Sequence, residues 1–120
     1  MQDRFRFRCW RKLDNRMVEI YWFNPILFDE DAAGDRAKNY VLMQCTGLKD
    51  KNGKLIFEGD ILKTKKHNLC EDDELFEVFY EETLCQFLGK SLATNICIDL
   101  CDLYGEEIVG NIYKNKDLLQ

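Results

Sequence analysis

The chain has 120 residues, of which 46% are hydrophobic and 12% aromatic, and its formal net charge at pH 7 is −5. This composition excludes a low-complexity disordered chain, and no run approaches the roughly 20 apolar residues of a membrane-spanning helix. The acidic balance argues against generic nucleic-acid binding, because neutralising phosphates requires a surplus of lysine and arginine.

The amino-terminal segment has the pattern of a β-hairpin. Residues 4–10 alternate arginine with phenylalanine and cysteine, which predicts a half-buried strand with a basic outer face. A turn at residues 14–15 and an apolar, aromatic run over residues 17–23 complete the predicted hairpin. Residues 24–39 contain the only proline and show little periodicity, so we expect a linker there.

The remainder of the chain is predicted to consist of short strands bounded by turn signals. The predicted strands cover residues 40–46, 55–57, 60–63, 74–80, 84–88, 96–103 and 107–113. The stretch from Gly89 to Asn95 is expected to be a loop, and Asn115 is expected to cap a single helical turn at the carboxyl end. Many short strands at close spacing favour a small all-β barrel or sandwich, and closure into a barrel would remove exposed strand edges.

Three segments carry a resemblance to a known family. Residues 40–63 read YVLMQCTGLKDKNGKLIFEGDILK, residues 108–119 read IVGNIYKNKDLL, and residues 6–18 read RFRCWRKLDNRMV. Together they resemble the motifs of the YopX family of phage and prophage proteins. Cys45 stands where that family usually has an aromatic residue, Lys116 where it often has proline, and Arg11 where it usually has an acid.

The resemblance implies a fold and an origin but no activity. It implies an all-β protein with a small SH3-like barrel domain over residues 40–120. An amino-terminal β-hairpin element and linker would occupy residues 1–39. It further implies a phage or prophage origin in bacteria, and self-association. A location in the cytoplasm of the host cell is expected on separate grounds, because arginines interrupt any apolar signal-peptide core and the cysteines suit a reducing compartment.

The residues shared with the family motifs are predicted to be structural. Glycines suit bends and bulges where a Cβ atom is unfavourable, and short acidic or amide side chains can accept hydrogen bonds from the backbone of a turn. The residues concerned are Gly47, Asp50, Asn52, Gly53, Glu58, Gly59, Asp60, Gly110 and Asn111.

Catalytic and metal sites are not expected. The only histidine, His67, lies in a polar loop with Cys70 nearby, which is a weak basis for a nucleophilic dyad. Cys97, Asp99 and Cys101 would share a strand face but lack the paired short spacings of a structural zinc site. We therefore predict no enzymatic activity, no cofactor and no metal. We also expect the six cysteines to be mostly reduced thiols.

The distribution of charge suggests how the protein acts. Residues 1–16 carry a net charge of +4, and residues 71–82 carry −7. Opposite patches favour association between copies, so the first hypothesis is a non-enzymatic binding or self-assembly module that forms a homo-oligomer. A phage or host protein is a further candidate partner, and no membrane partner is expected.

The alternative hypothesis is a single-stranded nucleic-acid-binding β-barrel, an accessory protein of phage DNA metabolism. Small barrels bind single strands through aromatic platforms beside a positive groove. The residues that would form this platform are Arg4, Arg6, Arg8, Trp10 and Trp22.

Overall fold

The computed structural model describes residues 6–20, 40–65 and 74–119. Within these ranges the chain is all-β, as predicted, with nine strands and two short 3-10 helices, Leu100–Asp102 and Lys116–Leu119. The strands are β1 Phe7–Arg11, β2 Arg16–Ile20, β3 Tyr40–Lys49, β4 Leu55–Phe57, β5 Asp60–Lys65, β6 Glu74–Glu81, β7 Gln86–Ser91, β8 Cys97–Asp99 and β9 Tyr104–Asn111.

The first sheet joins the amino-terminal hairpin to the motif-bearing part of the chain. Its strand order is β2-β1-β3-β4. Strand β1 pairs with β2 and, on its other side, with the first half of β3, where Phe7 lies opposite Gln44. The second half of β3 pairs with β4 after a register shift between Cys45 and Lys49. The described hairpin is therefore bonded by its main chain to β3, while the division into domains at residues 39 and 40 stays a prediction.

The second sheet is antiparallel and has the strand order β8-β7-β6-β5-β9. Strands β5 to β8 follow one another, and β9 returns to pair with β5 so that Gly110 lies opposite Ile61. This sheet curls into a half-barrel. Its two register shifts between β5 and β9 are irregularities of the kind that bend a strand pair.

The hydrophobic core lies mainly on the second sheet. Its buried members are Ile56, Leu62, Phe76, Val78, Leu100 and Leu103. The last two belong to the segment after β8, where the predicted strand 96–103 gives way to a 3-10 helix. The side chain of Asp99 begins this helix by accepting a hydrogen bond from the backbone N–H of Cys101 at 3.0 Å.

Gly89 corrects the sequence-based expectation of a loop from residue 89. It lies inside β7, and a Cβ atom there would be 3.3 Å from Leu103 Cδ1 and 3.4 Å from Leu100 Cδ2. The glycine lets the 3-10 segment pack directly on the strand. Gly89 therefore allows close packing of β7 against the 3-10 segment in the core and is not part of a turn.

None of the five described cysteines forms a disulfide. Cys9 and Cys45 are buried, whereas Cys85, Cys97 and Cys101 are exposed. Among the described residues, no helix has the length and apolar character needed to cross a membrane.

Candidate functional site

A buried ion pair connects β1 to the bend between β4 and β5. Arg8 Nη2 lies 2.7 Å from Asp60 Oδ1, and the two side chains are 11% and 2% exposed. The same nitrogen donates to the backbone carbonyl of Glu58 at 3.2 Å, and the guanidinium carbon lies 4.7 Å from the centre of the Phe57 ring. Arg8 is therefore not part of an exposed basic face of the hairpin. Its charge balances that of the buried Asp60 carboxylate.

Acidic side chains on both sides of Gly59 hold the bend in place. Asp60 Oδ2 accepts a hydrogen bond from the backbone N–H of Phe57 at 2.8 Å, and Glu58 Oε1 accepts one from that of Gln44 at 2.9 Å. Burial raises the pKa of Asp60 above its ordinary value, although the nearby Arg8 opposes this shift. Gly59 itself has a φ of +85°, a conformation that favours glycine.

Asp50 organises the turn between β3 and β4 and ties it to β9. Its Oδ1 atom accepts hydrogen bonds from the backbone N–H groups of Asn52 and Lys54, each at 2.9 Å, and its Oδ2 atom accepts one from Ile108 at 3.1 Å. Burial alone would raise the pKa of Asp50, but these three donors hold it below its ordinary value. Gly53, with a φ of +83°, completes the turn.

Two asparagines shape the end of β9. Asn111 Oδ1 accepts hydrogen bonds from the backbone N–H groups of Tyr113 and Lys114, at 3.0 and 2.8 Å. Asn115 Oδ1 reaches back to the N–H of Asn111 at 3.1 Å, and its side chain packs on Gly110. The side chain of Asn115 therefore holds the end of β9 rather than the following helical turn.

A cleft of about 290 Å³ lies between the Arg8–Asp60 ion pair, the β3–β4 turn and the end of β9. It is lined by Arg8, Lys54, Asp60, Ile108, Val109, Gly110, Asn111, Lys114 and Asn115. A second cavity of about 400 Å³ adjoins it at Lys114 and is lined also by Trp10, Asn15, Tyr113, Lys116 and Asp117. The two lysines of the cleft were not singled out by the sequence, because exposed lysines have no local pattern that distinguishes them.

The residues proposed from the sequence for nucleic-acid contact have different surroundings. Trp10 is 6% exposed and stacks on Tyr113 with ring centres 5.8 Å apart. Arg6 is half-buried, and its backbone carbonyl accepts a hydrogen bond from the N–H of Cys45 at 2.9 Å. Arg4 and Trp22 lie outside the described residues. Contact with a single strand stays a prediction, and Arg8 and Trp10 are not part of an open platform.

The β1–β2 hairpin ends in a basic tip, defined here as residues 11–16. It contains three basic residues and one acidic residue, and Leu13 at its centre is 74% exposed. Arg11 Nε donates to Asp14 Oδ1 at 2.8 Å, which shapes the turn. Lys12 and Arg16 are exposed on either side of the leucine.

The β6–β7 hairpin ends in an acidic tip, defined here as residues 81–86. Its only charged residues are two glutamates, Glu81 and Glu82, and Leu84 is 60% exposed. Behind the tip, the rings of Tyr80 and Phe87 pack edge to face with their centres 5.1 Å apart. Within the described ranges, two hairpin tips therefore carry opposite charge, and each has an exposed leucine.

The weak metal hypothesis gains no support from the described residues, in which no three potential ligands come together. Cys97, Asp99 and Cys101 are exposed, and Asp99 is engaged with the backbone. His67 and Cys70 lie outside the described ranges.

The fold and the site define an all-β protein whose bends are held by buried or half-buried acidic and amide side chains. The family model described as YopX protein matches residues 6–120, and the chain therefore belongs to the YopX family. This confirms the resemblance found in the three sequence motifs.

Among solved structures, the crystal structure of protein EF1440 from Enterococcus faecalis is similar to this chain. The sequences are 26% identical, the match covers 96% of this chain and 97% of that one, and the TM-score is 0.67. No curated protein gives a significant match.

Proposed function

We propose that this YopX-family protein is a non-enzymatic binding module that assembles with copies of itself. The observation that carries the proposal is the pair of hairpin tips. The basic tip presents Leu13 between Lys12 and Arg16, and the acidic tip presents Leu84 beside Glu82. The two tips have opposite charge and each has an exposed leucine, so the basic tip of one copy is complementary to the acidic tip of the next.

Such a contact combines attraction between charges with burial of apolar surface. Opposite charges at the rim increase the rate of association and select the partner. Burying one exposed leucine contributes about 1.5 kcal/mol, which is modest beside the entropic cost of association. We therefore expect assembly that depends on protein concentration and weakens with salt.

Because the two surfaces differ, the contact can join copies in two ways. In a two-fold dimer the basic tip of each copy meets the acidic tip of the other, so the contact occurs twice. In a head-to-tail arrangement each copy contacts two others, which gives closed rings when the rotation between copies closes and open filaments when it does not. Both tips are then occupied in every internal copy of the assembly.

The finer features of the proposal come from the family resemblance and, for the cytoplasm, from the expectation of reduced cysteines. We infer an SH3-like barrel in the carboxyl-terminal part, an amino-terminal hairpin element, and a phage or prophage origin with action in the cytoplasm of the bacterial host. A phage or host protein with a complementary tip is a further partner that this surface would accept.

Light scattering across a range of protein concentrations tests the proposal. We expect the mean mass to rise with concentration at low salt and to fall when salt is added. A constant monomer mass at every concentration and both salt levels would rule out self-assembly.

A further inference from the structure

We propose that the cleft between β1, the β4–β5 bend and the end of β9 binds the phosphate group of a small phosphorylated molecule. The inference goes beyond self-assembly, because no residue that lines the cleft belongs to a hairpin tip, and the adjoining cavity includes only Asn15 of the basic tip. It rests on the charge of the cleft, on the orientation of two side-chain amides and on the adjoining aromatic cavity.

The cleft has an excess of positive charge. Arg8, Lys54 and Lys114 line it, against the single carboxylate of Asp60. Both oxygens of that carboxylate are already engaged, Oδ1 by Arg8 and Oδ2 by the N–H of Phe57. The two lysines are exposed, so their ammonium groups can meet a ligand from solvent. A phosphate monoester carries nearly two negative charges at pH 7, which matches the excess.

Two of the residues that line the cleft are asparagines with oriented amide groups. Asn111 Oδ1 and Asn115 Oδ1 are both occupied by backbone N–H groups. These bonds fix the orientation of each amide and leave the Nδ2 amino groups as the side that a ligand can use. An anion that only accepts hydrogen bonds suits such a site, whereas a cation would meet donors and positive charge.

Arg8, which also lines the cleft, has one donor without a partner. Its Nη2 atom donates to Asp60 and to the carbonyl of Glu58, but its Nε–H is buried with no hydrogen-bond partner among the described residues. The carboxylate of Asp60 balances the charge of the guanidinium. The excess positive charge of the cleft is therefore that of Lys54 and Lys114.

The neighbouring cavity indicates the class of ligand. It adjoins the cleft at Lys114 and has Trp10 and Tyr113 in its wall. Together the two spaces reach the size range of small-molecule sites, which combine apolar walls with a few polar groups. A nucleoside monophosphate would fit this arrangement, with its phosphate in the donor-lined cleft and its ring beside the aromatic side chains.

Calorimetric titration with inorganic phosphate, adenosine monophosphate and adenosine tests the proposal on the full chain. We expect adenosine monophosphate to bind more tightly than phosphate, and adenosine to bind at least tenfold more weakly than adenosine monophosphate. In the double variant Lys54→Gln, Lys114→Gln, the affinity for inorganic phosphate and the affinity for adenosine monophosphate should each fall at least tenfold. Lys49→Gln, at an exposed position outside the cleft, is the matched control and should bind as the wild type does.

A second measurement keeps the test independent of stability. In amide NMR spectra of the wild type, phosphate should shift the side-chain Nδ2 signals of Asn111 and Asn115. Unshifted signals, or equal phosphate affinity in the double variant and the wild type, would overturn the proposal. Binding of a single-stranded oligonucleotide without binding of adenosine monophosphate would also overturn it, in favour of a nucleic-acid strand as ligand.

Discussion

Arg8 Nη2 lies 2.7 Å from Asp60 Oδ1, and the pair is nearly removed from solvent although the two residues are 52 positions apart. The contact joins the first described strand to the bend before β5. Together with the β1–β3 ladder, it makes the amino-terminal hairpin a fixed part of the first sheet. The basic tip is therefore held at a defined place, as a surface for ordered assembly requires.

Removing the arginine should leave a buried carboxylate without its counter-charge. We predict that Arg8→Ala destabilises the protein by about 3–5 kcal/mol, measured by urea unfolding at pH 7, and that Arg8→Lys recovers part of the loss. Arg11→Ala is the control, because the Arg11–Asp14 pair lies on the surface and should contribute little. Equal effects of Arg8→Ala and Arg11→Ala would contradict the structural role of Arg8.

The same variant should change the titration of Asp60. Burial already raises the pKa of this carboxyl, and Arg8 restrains the rise. We predict that Arg8→Ala raises it further, as measured by NMR of the carboxyl carbon. Protonated Asp60 needs no counter-charge. The loss of stability caused by Arg8→Ala should therefore be smallest at low pH and should grow as pH rises through the pKa of Asp60. A loss that does not depend on pH would contradict this.

Asp50 should make the opposite contribution to pH dependence. Its pKa is lower in the folded protein than in the unfolded chain, where it is about 3.9. The stability that it provides is therefore present above pH 4 and is lost as pH falls through the lowered value. We predict a smaller loss of stability on acidification in Asp50→Asn than in the wild type, measured by thermal unfolding. Asp117→Asn, at an exposed position, should follow the wild-type curve.

Two glycines with the same backbone conformation provide a matched comparison. Gly53 and Gly59 have φ values of +83° and +85°, but a Cβ atom at 59 would lie 3.1 Å from Met43 Sδ, and one at 53 would have nothing within 4 Å. We predict that Gly53→Ala costs about 1 kcal/mol from backbone strain, and that Gly59→Ala costs about 1 kcal/mol more from crowding. Urea unfolding measures both, and equal costs would show that packing at Gly59 does not matter.

The sequence predicted the fold class and most strand positions, because apolar alternation and turn residues are local signals. The burial of Arg8 could not be predicted in this way. Alternation indicates that a strand has two faces, but not that the face with the arginine meets a buried carboxylate 52 residues later. Gly89 was misassigned for the same reason, since the residues that pack on it come from the later segment around Leu100 and Leu103.

The cleft could not be predicted from local sequence patterns either. Asn115 has the local pattern of a helix cap, but the actual partner of its side chain is the backbone of Asn111. Lys54 and Lys114 are 60 positions apart and line the same cleft because hydrogen bonds between Asp50 and Ile108 and between Lys51 and Glu106 tie the β3–β4 turn to β9. A ligand site built from turns of different strands leaves no continuous motif in the sequence.

The most direct test of self-assembly is a charge exchange between the two tips. The basic tip has a net charge of +2 and the acidic tip one of −2, so two substitutions reverse either tip. The pair Lys12→Glu, Arg16→Glu and the pair Glu81→Lys, Glu82→Lys should each lower the mean mass in light scattering, because each reversed variant gives its two tips the same sign of charge. The variant with all four substitutions and an equimolar mixture of the two reversed variants should recover the wild-type mass, since opposite tips can again meet. Lys49→Glu, outside both tips, should leave the mass unchanged. Wild-type mass in both reversed variants, or no recovery in the fourfold variant and the mixture, would contradict assembly through the hairpin tips.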